Sequence, residues 1–271
     1  MTPPHDIPAL LAAVSTLARE AGAIVMAVYA TDFNVRGKLD ASPVTEADER
    51  AEAVILAGLA ALTPNIPVVA EESVEAGRIP AIADRFWLVD PLDGTKEFVS
   101  RNGEFTVNIA LIEHGSPVLG VVLAPALGPC GQLYTGAIGH GATVEDEAGV
   151  RSIACRAVPE AGLTVLASRS HGDAAALAAF LAGRRVASMS TAGSSLKFCR
   201  VAAGEADIYP RLGRTMEWDI AAGHAVLAAA GGQVCRVDDG RPMTYGHPGF
   251  ENPHFVATGR VARVLRASPR P

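Results

Sequence analysis

The residues best suited to do chemistry stand together in Trp87-Leu88-Val89-Asp90-Pro91-Leu92-Asp93-Gly94-Thr95-Lys96-Glu97-Phe98. The apolar start predicts a short buried strand over 86–89 that breaks at Pro91 into a turn and then a helix start. Two carboxylates three residues apart, on either side of a proline, cannot continue an alternating strand. A bend between them lets Asp90 and Asp93 face one point, and convergent carboxylates suit a hard divalent cation. Gly94 and Thr95 follow, at a helix start whose unpaired N–H groups could hold a phosphate. Taken alone, the pattern is equally well a proline turn with an Asp helix cap.

Two other acidic clusters lie where a regular element meets a loop. Glu71-Glu72 ends a strand over 66–70, and Trp218-Asp219 opens a helix over 217–230. Each has an ordinary explanation, a solvated turn for the first and a first-turn acid favoured by the helix dipole for the second. Asp48, three residues after Thr45, reads as the partner in a capping box. Lys197 lies on a helix opened by Gly193-Ser194-Ser195, and Arg211 directly follows a strand. Alone, either is a solvated basic residue; beside a Gly-Ser-Ser helix start they become candidate phosphate ligands. His171 stands in a polar loop, whereas His224 falls on an apolar helix and reads as a satisfied core residue.

The elements that must position these groups follow from periodicity. Helices are predicted over 7–29 and 45–62, the second with Thr45 as N-cap. A polar loop over 32–43 carries Arg36 and Lys38 and reads as mobile. Strands over 66–70, 86–89, 104–113, 117–124, 132–136 and 142–145 form a largely antiparallel meander, with loop and one helical turn before Arg85. From about Ala157 strands (163–167, 186–189, 206–209, 233–237, 255–258) alternate with helices (173–181, 194–203, 217–230, 260–266). The change of pattern over 149–159 predicts two subdomains, 1–155 with most of the acidic candidates and 156–271 with Asp219 and the basic ones.

The 271 residues, 49% hydrophobic and 19% charged, suffice for a substantial core. A net charge of -6 argues against a general nucleic-acid binder. An acidic protein can still take a small phosphorylated molecule if metal ions supply the positive charge. The first residues lack the basic n-region of a secretory signal, and the apolar stretches 21–30 and 220–234 are too short or too interrupted to span a bilayer. Cys130, Cys155, Cys199 and Cys235 are far apart; they read as reduced, mostly buried thiols of a cytoplasmic protein, free or peripheral at the inner membrane.

Together Asp48, Glu71, Asp90-Pro91-Leu92-Asp93-Gly94-Thr95 and Trp218-Asp219 match the metal-binding pattern of the lithium-sensitive, magnesium-dependent sugar-phosphatase family of inositol monophosphatase and fructose-1,6-bisphosphatase. A closer resemblance is to the CysQ-type 3'(2'),5'-bisphosphate nucleotidases. It rests on 87–98, on Arg101-Asn102-Gly103-Glu104-Phe105-Thr106-Val107-Asn108-Ile109-Ala110, on Ala167-Ser168-Arg169-Ser170-His171, on Gly193-Ser194-Ser195-Leu196-Lys197-Phe198-Cys199, and on 209–211 and 217–226.

The resemblance implies an α+β fold, a layered αβαβα sandwich in two subdomains. It implies hydrolysis of the 3'-phosphate of adenosine 3',5'-bisphosphate, or of its sulfated form. It places one magnesium on Glu71, Asp90 and the Leu92 carbonyl and a second on Asp90, Asp93 and Asp219, with a third ion left open. Two such ions clamp the attacking and leaving oxygens of an in-line displacement. Thr95, hydrogen-bonded to Asp48, orients the water and takes part in its deprotonation. Gly94, Thr95, His171, Ser194, Lys197 and Arg211 are the implied substrate contacts. The partner is a small nucleotide, with no nucleic acid and no integral membrane segment, on a monomer or homodimer.

One departure bears on substrate. Leu212 stands seven residues before Asp219, where inositol-selective relatives place an acid, and Arg211 and Arg214 flank it. That favours a second anionic group on the substrate. An inositol or fructose phosphatase of the same fold remains the alternative. A haloacid-dehalogenase phosphotransferase needs its aspartates two apart, and a non-catalytic phosphate binder needs no full ligand set.

Overall fold

The computed structural model describes residues 6–33, 36–37, 43–169 and 173–260. Helix α1, Ile7–Tyr29, is capped by the Asp6 carboxylate, which accepts the Ala9 N–H. After the two-residue pair β1 (Arg36–Gly37) and β2 (Pro43–Val44), helix α2 runs over Glu46–Leu62 from the Thr45 N-cap. Of the loop expected to be mobile, 32–33, 36–37 and Pro43 are described; Lys38 lies outside the described residues. Although 21–30 alone cannot span a bilayer, the whole of α1 is long and apolar enough by length and composition. Its Leu10, Val14, Leu17, Ala21, Val25 and Val28 are nonetheless buried at helical spacing in a core shared with α2 and a sheet, as in a core helix.

That sheet has seven strands in sequence order: β3 (Val68–Ala70), β4 (Arg85–Asp93), β5 (Thr106–Glu113), β6 (Ser116–Ala124), β7 (Gln132–Ala137), β8 (Gly141–Asp146) and β9 (Gly149–Ile153). Only β3 and β4 pair in parallel. Two short helices interrupt it, α3 (Glu71–Glu75) and α4 (Thr95–Val99). A second sheet of five strands has the order β11 (Val186–Ala192), β10 (Leu163–Ser168), β12 (Ile208–Arg211), β14 (Phe255–Thr258), β13 (Gln233–Arg236). Helices α5 (Ala174–Leu181), α6 (Leu196–Ala202) and α7 (Glu217–Ala229) belong to the same half of the chain.

Helix α7 packs on the face of the first sheet opposite α1 and α2 and also touches α6, so a helical layer lies between the two sheets. The layering is the expected α+β sandwich. Close approach of α7 depends on glycine: a Cβ at Gly120 on β6 would stand 2.4 Å from the Ala222 carbonyl oxygen, and one at Gly136 on β7 2.7 Å from the Val226 Cα. The helix can therefore lie flat on the sheet and present its first turn at the sheet's edge.

Several elements differ from expectation. Strand β4 does not end at Val89 but continues through Pro91 to Asp93. Proline is tolerated because β3 pairs only as far as Val89, so Pro91 faces no neighbour on that flank. Strand β9 lacks apolar alternation and is held by its hairpin with β8 rather than by burial. Helix α6 starts at Leu196, because Ser194 has φ 44, outside helical range. The closing helix expected over 260–266 lies almost wholly outside the described residues. Of the four cysteines, all unpaired, Cys155 and Cys199 are buried while Cys130 is exposed.

Candidate active site

The central motif works through a bulge. Asp90 pairs with Asn108 and Asp93 with Thr106, so three steps along β4 match two along β5. One inserted residue turns an odd spacing into an even one and puts both aspartates on the same face. Asp90 is buried and its Oδ1 accepts the Leu92 N–H at 2.9 Å. Gly94, at φ 89, reverses the chain into α4.

Three elements bring carboxylates to this face. Glu71 is the first residue of α3, at the end of β3; Asp90 comes from β4; Asp219 is in the first turn of α7. Their ligand oxygens all lie within 4.8 Å of one another. Asp219 Oδ2 accepts the Met216 N–H at 2.8 Å, which fixes its carboxylate. Asp93 lies outside this trio and accepts Asn108 Nδ2 at 3.4 Å, and the Ser195 backbone favours its ionised form.

The electrostatics follow from crowding. Burial, then the negative charges of Glu71, Asp93 and Asp219, push Asp90 well above the usual carboxylate range. Asp219 is raised likewise, by burial and then Asp93 and Glu71. Asp93 rises to about 6, through burial opposed by Lys197 and reinforced by Glu97. Oxygen donors that repel one another in the resting protein are the donor set a hard divalent cation neutralises, so these residues fit magnesium.

Asp48 is buried, and its Oδ2 accepts both the N–H and the hydroxyl of Thr45 at 2.8 Å. The Thr95 hydroxyl, expected to bond Asp48, donates to the Leu92 carbonyl at 3.3 Å. As first residue of a short helix, its side chain turns back onto the carbonyl three residues earlier.

Lys197 differs most from a solvated phosphate ligand. It is buried, and its Nζ donates to the carbonyls of Ala192 (3.1 Å) and Ser194 (2.6 Å). Burial lowers it to about 8 against the pull of Asp93. Arg211 is buried at the end of β12, with one Nη2 bond to the Arg214 carbonyl at 2.7 Å, and its charge favours ionised Asp219. Arg214 turns outward to Glu251. The Ser194 hydroxyl is buried without a partner among the described residues. His171 lies outside them. His224 is the core residue expected: buried, bonded through Nδ1 to the Tyr245 hydroxyl at 2.8 Å, and held down to about 3 by burial.

Two supports escape a reading by motif. Buried Glu52 on α2 accepts the Glu72 N–H (2.8 Å) and the Ser73 hydroxyl (2.6 Å), and so caps α3 from a neighbouring helix. Its spacing of four from Asp48 was the available signal, since both acids share a helix face. Ser195 donates its hydroxyl to the Asp219 carbonyl at 2.6 Å, and its backbone favours ionised Asp93. Nothing in Gly-Ser-Ser announces that second role.

Comparison with known proteins agrees with this architecture. A 3'(2'),5'-bisphosphate nucleotidase CysQ of Escherichia coli O157:H7 is 48% identical over 249 residues, 91% of this chain and 98% of the relative. A crystal structure of CysQ from Bacteroides thetaiotaomicron superposes with a TM-score of 0.77 at 34% identity, covering 95% of this chain and 99% of the other. An inositol monophosphatase from Anabaena has a TM-score of 0.74 at 25% identity, over 93% and 91% of the two chains. The model of the inositol monophosphatase family matches residues 7–269, and the chain belongs to that family.

Proposed function

We propose that the protein is a magnesium-dependent 3'(2'),5'-bisphosphate nucleotidase that hydrolyses the 3'-phosphate of adenosine 3',5'-bisphosphate to AMP and phosphate. The observation that carries the reading is the convergence of Glu71, Asp90 and Asp219 oxygens within 4.8 Å, from three separate elements. The CysQ relatives support the substrate class. Glu71, Asp90, the Leu92 carbonyl, Asp93 and Asp219 would hold two magnesium ions, which supply charge neutralisation for the attacking and leaving oxygens.

The chain's own groups do the rest. With its proton committed to Leu92, the Thr95 oxygen presents lone pairs and accepts a hydrogen bond from the attacking water, which orients it. Passing that proton on to Asp48 requires the Thr95 hydroxyl to rotate off the Leu92 carbonyl. The N–H groups of Gly94 and Thr95 hold phosphoryl oxygens, and the unpartnered Ser194 hydroxyl contacts the nucleotide. Arg211 supplies positive charge for the phosphate that is not cleaved. Lys197, with two protons committed to carbonyls, contributes mainly its field.

Phosphate release from adenosine 3',5'-bisphosphate, its sulfated form, inositol 1-phosphate and fructose 1,6-bisphosphate, with and without magnesium, tests the reading. Magnesium-dependent preference for the bisphosphorylated nucleotides is expected. Preference for inositol or fructose phosphate would move the chain to the alternative within its family, and turnover without a divalent ion would defeat the metal reading.

A further inference from the structure

Three stretches of the sequence, Arg101-Asn102-Gly103-Glu104, Ala167-Ser168-Arg169 and Gly193-Ser194-Ser195, come from different parts of the chain and meet at one side chain. Glu104 precedes β5 in the first sheet. Its Oε2 accepts the Gly193 N–H at 2.8 Å and Arg169 Nε at 3.0 Å, and Arg200 approaches Oε1 at 3.5 Å. Arg169 follows β10 and Gly193 follows β11, so the carboxylate ties the first sheet to two strand ends of the second. The main chains are as close: a Cβ on Gly193 would stand 2.5 Å from the Glu104 carbonyl oxygen.

The far end of the same loop holds the acidic cluster. The Ser195 hydroxyl donates to the Asp219 carbonyl at 2.6 Å, and the Ser195 backbone favours the ionised form of Asp93. Asp93 belongs to the first sheet and Asp219 to α7, so a three-residue loop fixes their separation, and Glu104 fixes the loop. Partners that orient ligands from behind commonly govern metal affinity. We propose that Glu104 is a positioning residue that holds loop 193–195 by accepting the Gly193 N–H and through it sets the affinity of the acidic cluster for magnesium. The inference rests on the metal-dependent reading above.

The test is titration calorimetry of magnesium into the full-length protein at fixed ionic strength, beside kcat at rising magnesium. It uses wild type, Glu104→Ala, Glu104→Gln and Gly193→Ala, each folded by circular dichroism. Glu104→Ala should weaken magnesium binding about 10- to 100-fold, with kcat recovering as magnesium is raised. Glu104→Gln keeps an acceptor for the Gly193 N–H and should stay within about fivefold of wild type, a neutral hydrogen bond being roughly half as strong as a charged one. Gly193→Ala, which pushes the loop off the same carbonyl, should resemble Glu104→Ala and serves if that variant does not fold. Unchanged affinity in Glu104→Ala, or equal losses in the Ala and Gln variants, overturns the proposal while wild type still binds magnesium and turns over. A wild type that does neither overturns the functional reading and this inference with it.

Discussion

Glu52 and Ser73, 21 residues apart, are joined by a 2.6 Å hydrogen bond, and the same carboxylate takes the Glu72 N–H. Helix α3 has no side-chain cap of its own, so α2 caps it and thereby aims Glu71.

Glu52→Ala should therefore act on the proposed metal site without touching it. It leaves a buried hydroxyl and a helix-start N–H without their acceptor, a loss of about 1–3 kcal/mol in stability. It should also raise the magnesium concentration for half-maximal activity about 10-fold or more. Thermal unfolding and a magnesium titration of activity check both. A variant destabilised but unchanged in magnesium requirement would make Glu52 a folding residue only.

Asp93→Asn should abolish turnover and yet stabilise the metal-free protein. Asp93 sits at about 6 in the folded protein, against about 4 for an ordinary aspartate. A folded-state value above the unfolded one means that the folded protein holds the proton more tightly, so its stabilising contribution is complete below about pH 4 and is lost as pH rises through about 6. Asparagine removes that loss. The stability difference between variant and wild type, measured without magnesium, should be small at pH 4 and grow to a plateau above pH 6–7. A difference that shrinks with rising pH would reverse the argument.

Arg211→Ala should lower kcat/KM for adenosine 3',5'-bisphosphate about tenfold to a hundredfold, the worth of one charge-assisted contact. The loss on 3'-AMP, which lacks the uncleaved 5'-phosphate, should be much smaller. Lys197→Ala belongs to a different class: it strips two buried carbonyls of their donor and should cost about 1–3 kcal/mol in stability, read by denaturant unfolding. Equal losses of Arg211→Ala on both nucleotides would assign Arg211 to the reacting phosphate or the fold.

Lithium should inhibit at concentrations where sodium at matched ionic strength does not, by competing for the carboxylate oxygens proposed to hold magnesium. Steady-state rates at fixed magnesium give the comparison. Equal inhibition by the two salts would leave only general screening.

The sequence alone singled out the three carboxylates, Glu71, Asp90 and Asp219, that the fold brings together. Asp90-Pro91-Leu92-Asp93-Gly94-Thr95 announces itself through carboxylate spacing and a proline, and helix α2 with its Thr45–Asp48 box follows from local capping and periodicity, which act within a few residues. The layered fold came instead from the family resemblance, while periodicity supplied only the order of strands and helices. The tertiary structure alone decided how the residues meet. The bulge that aligns Asp90 with Asp93 exists only in the pairing with β5. The caps that Glu52 and Ser195 supply span 20 residues or more, from elements whose contact no local pattern encodes. Lys197 reads as a surface cation because charge favours water, yet burial of its neighbours leaves it two carbonyls and the field of Asp93 instead. Identity and spacing are local properties of a chain, whereas solvation and second partners are set by whatever packs against it.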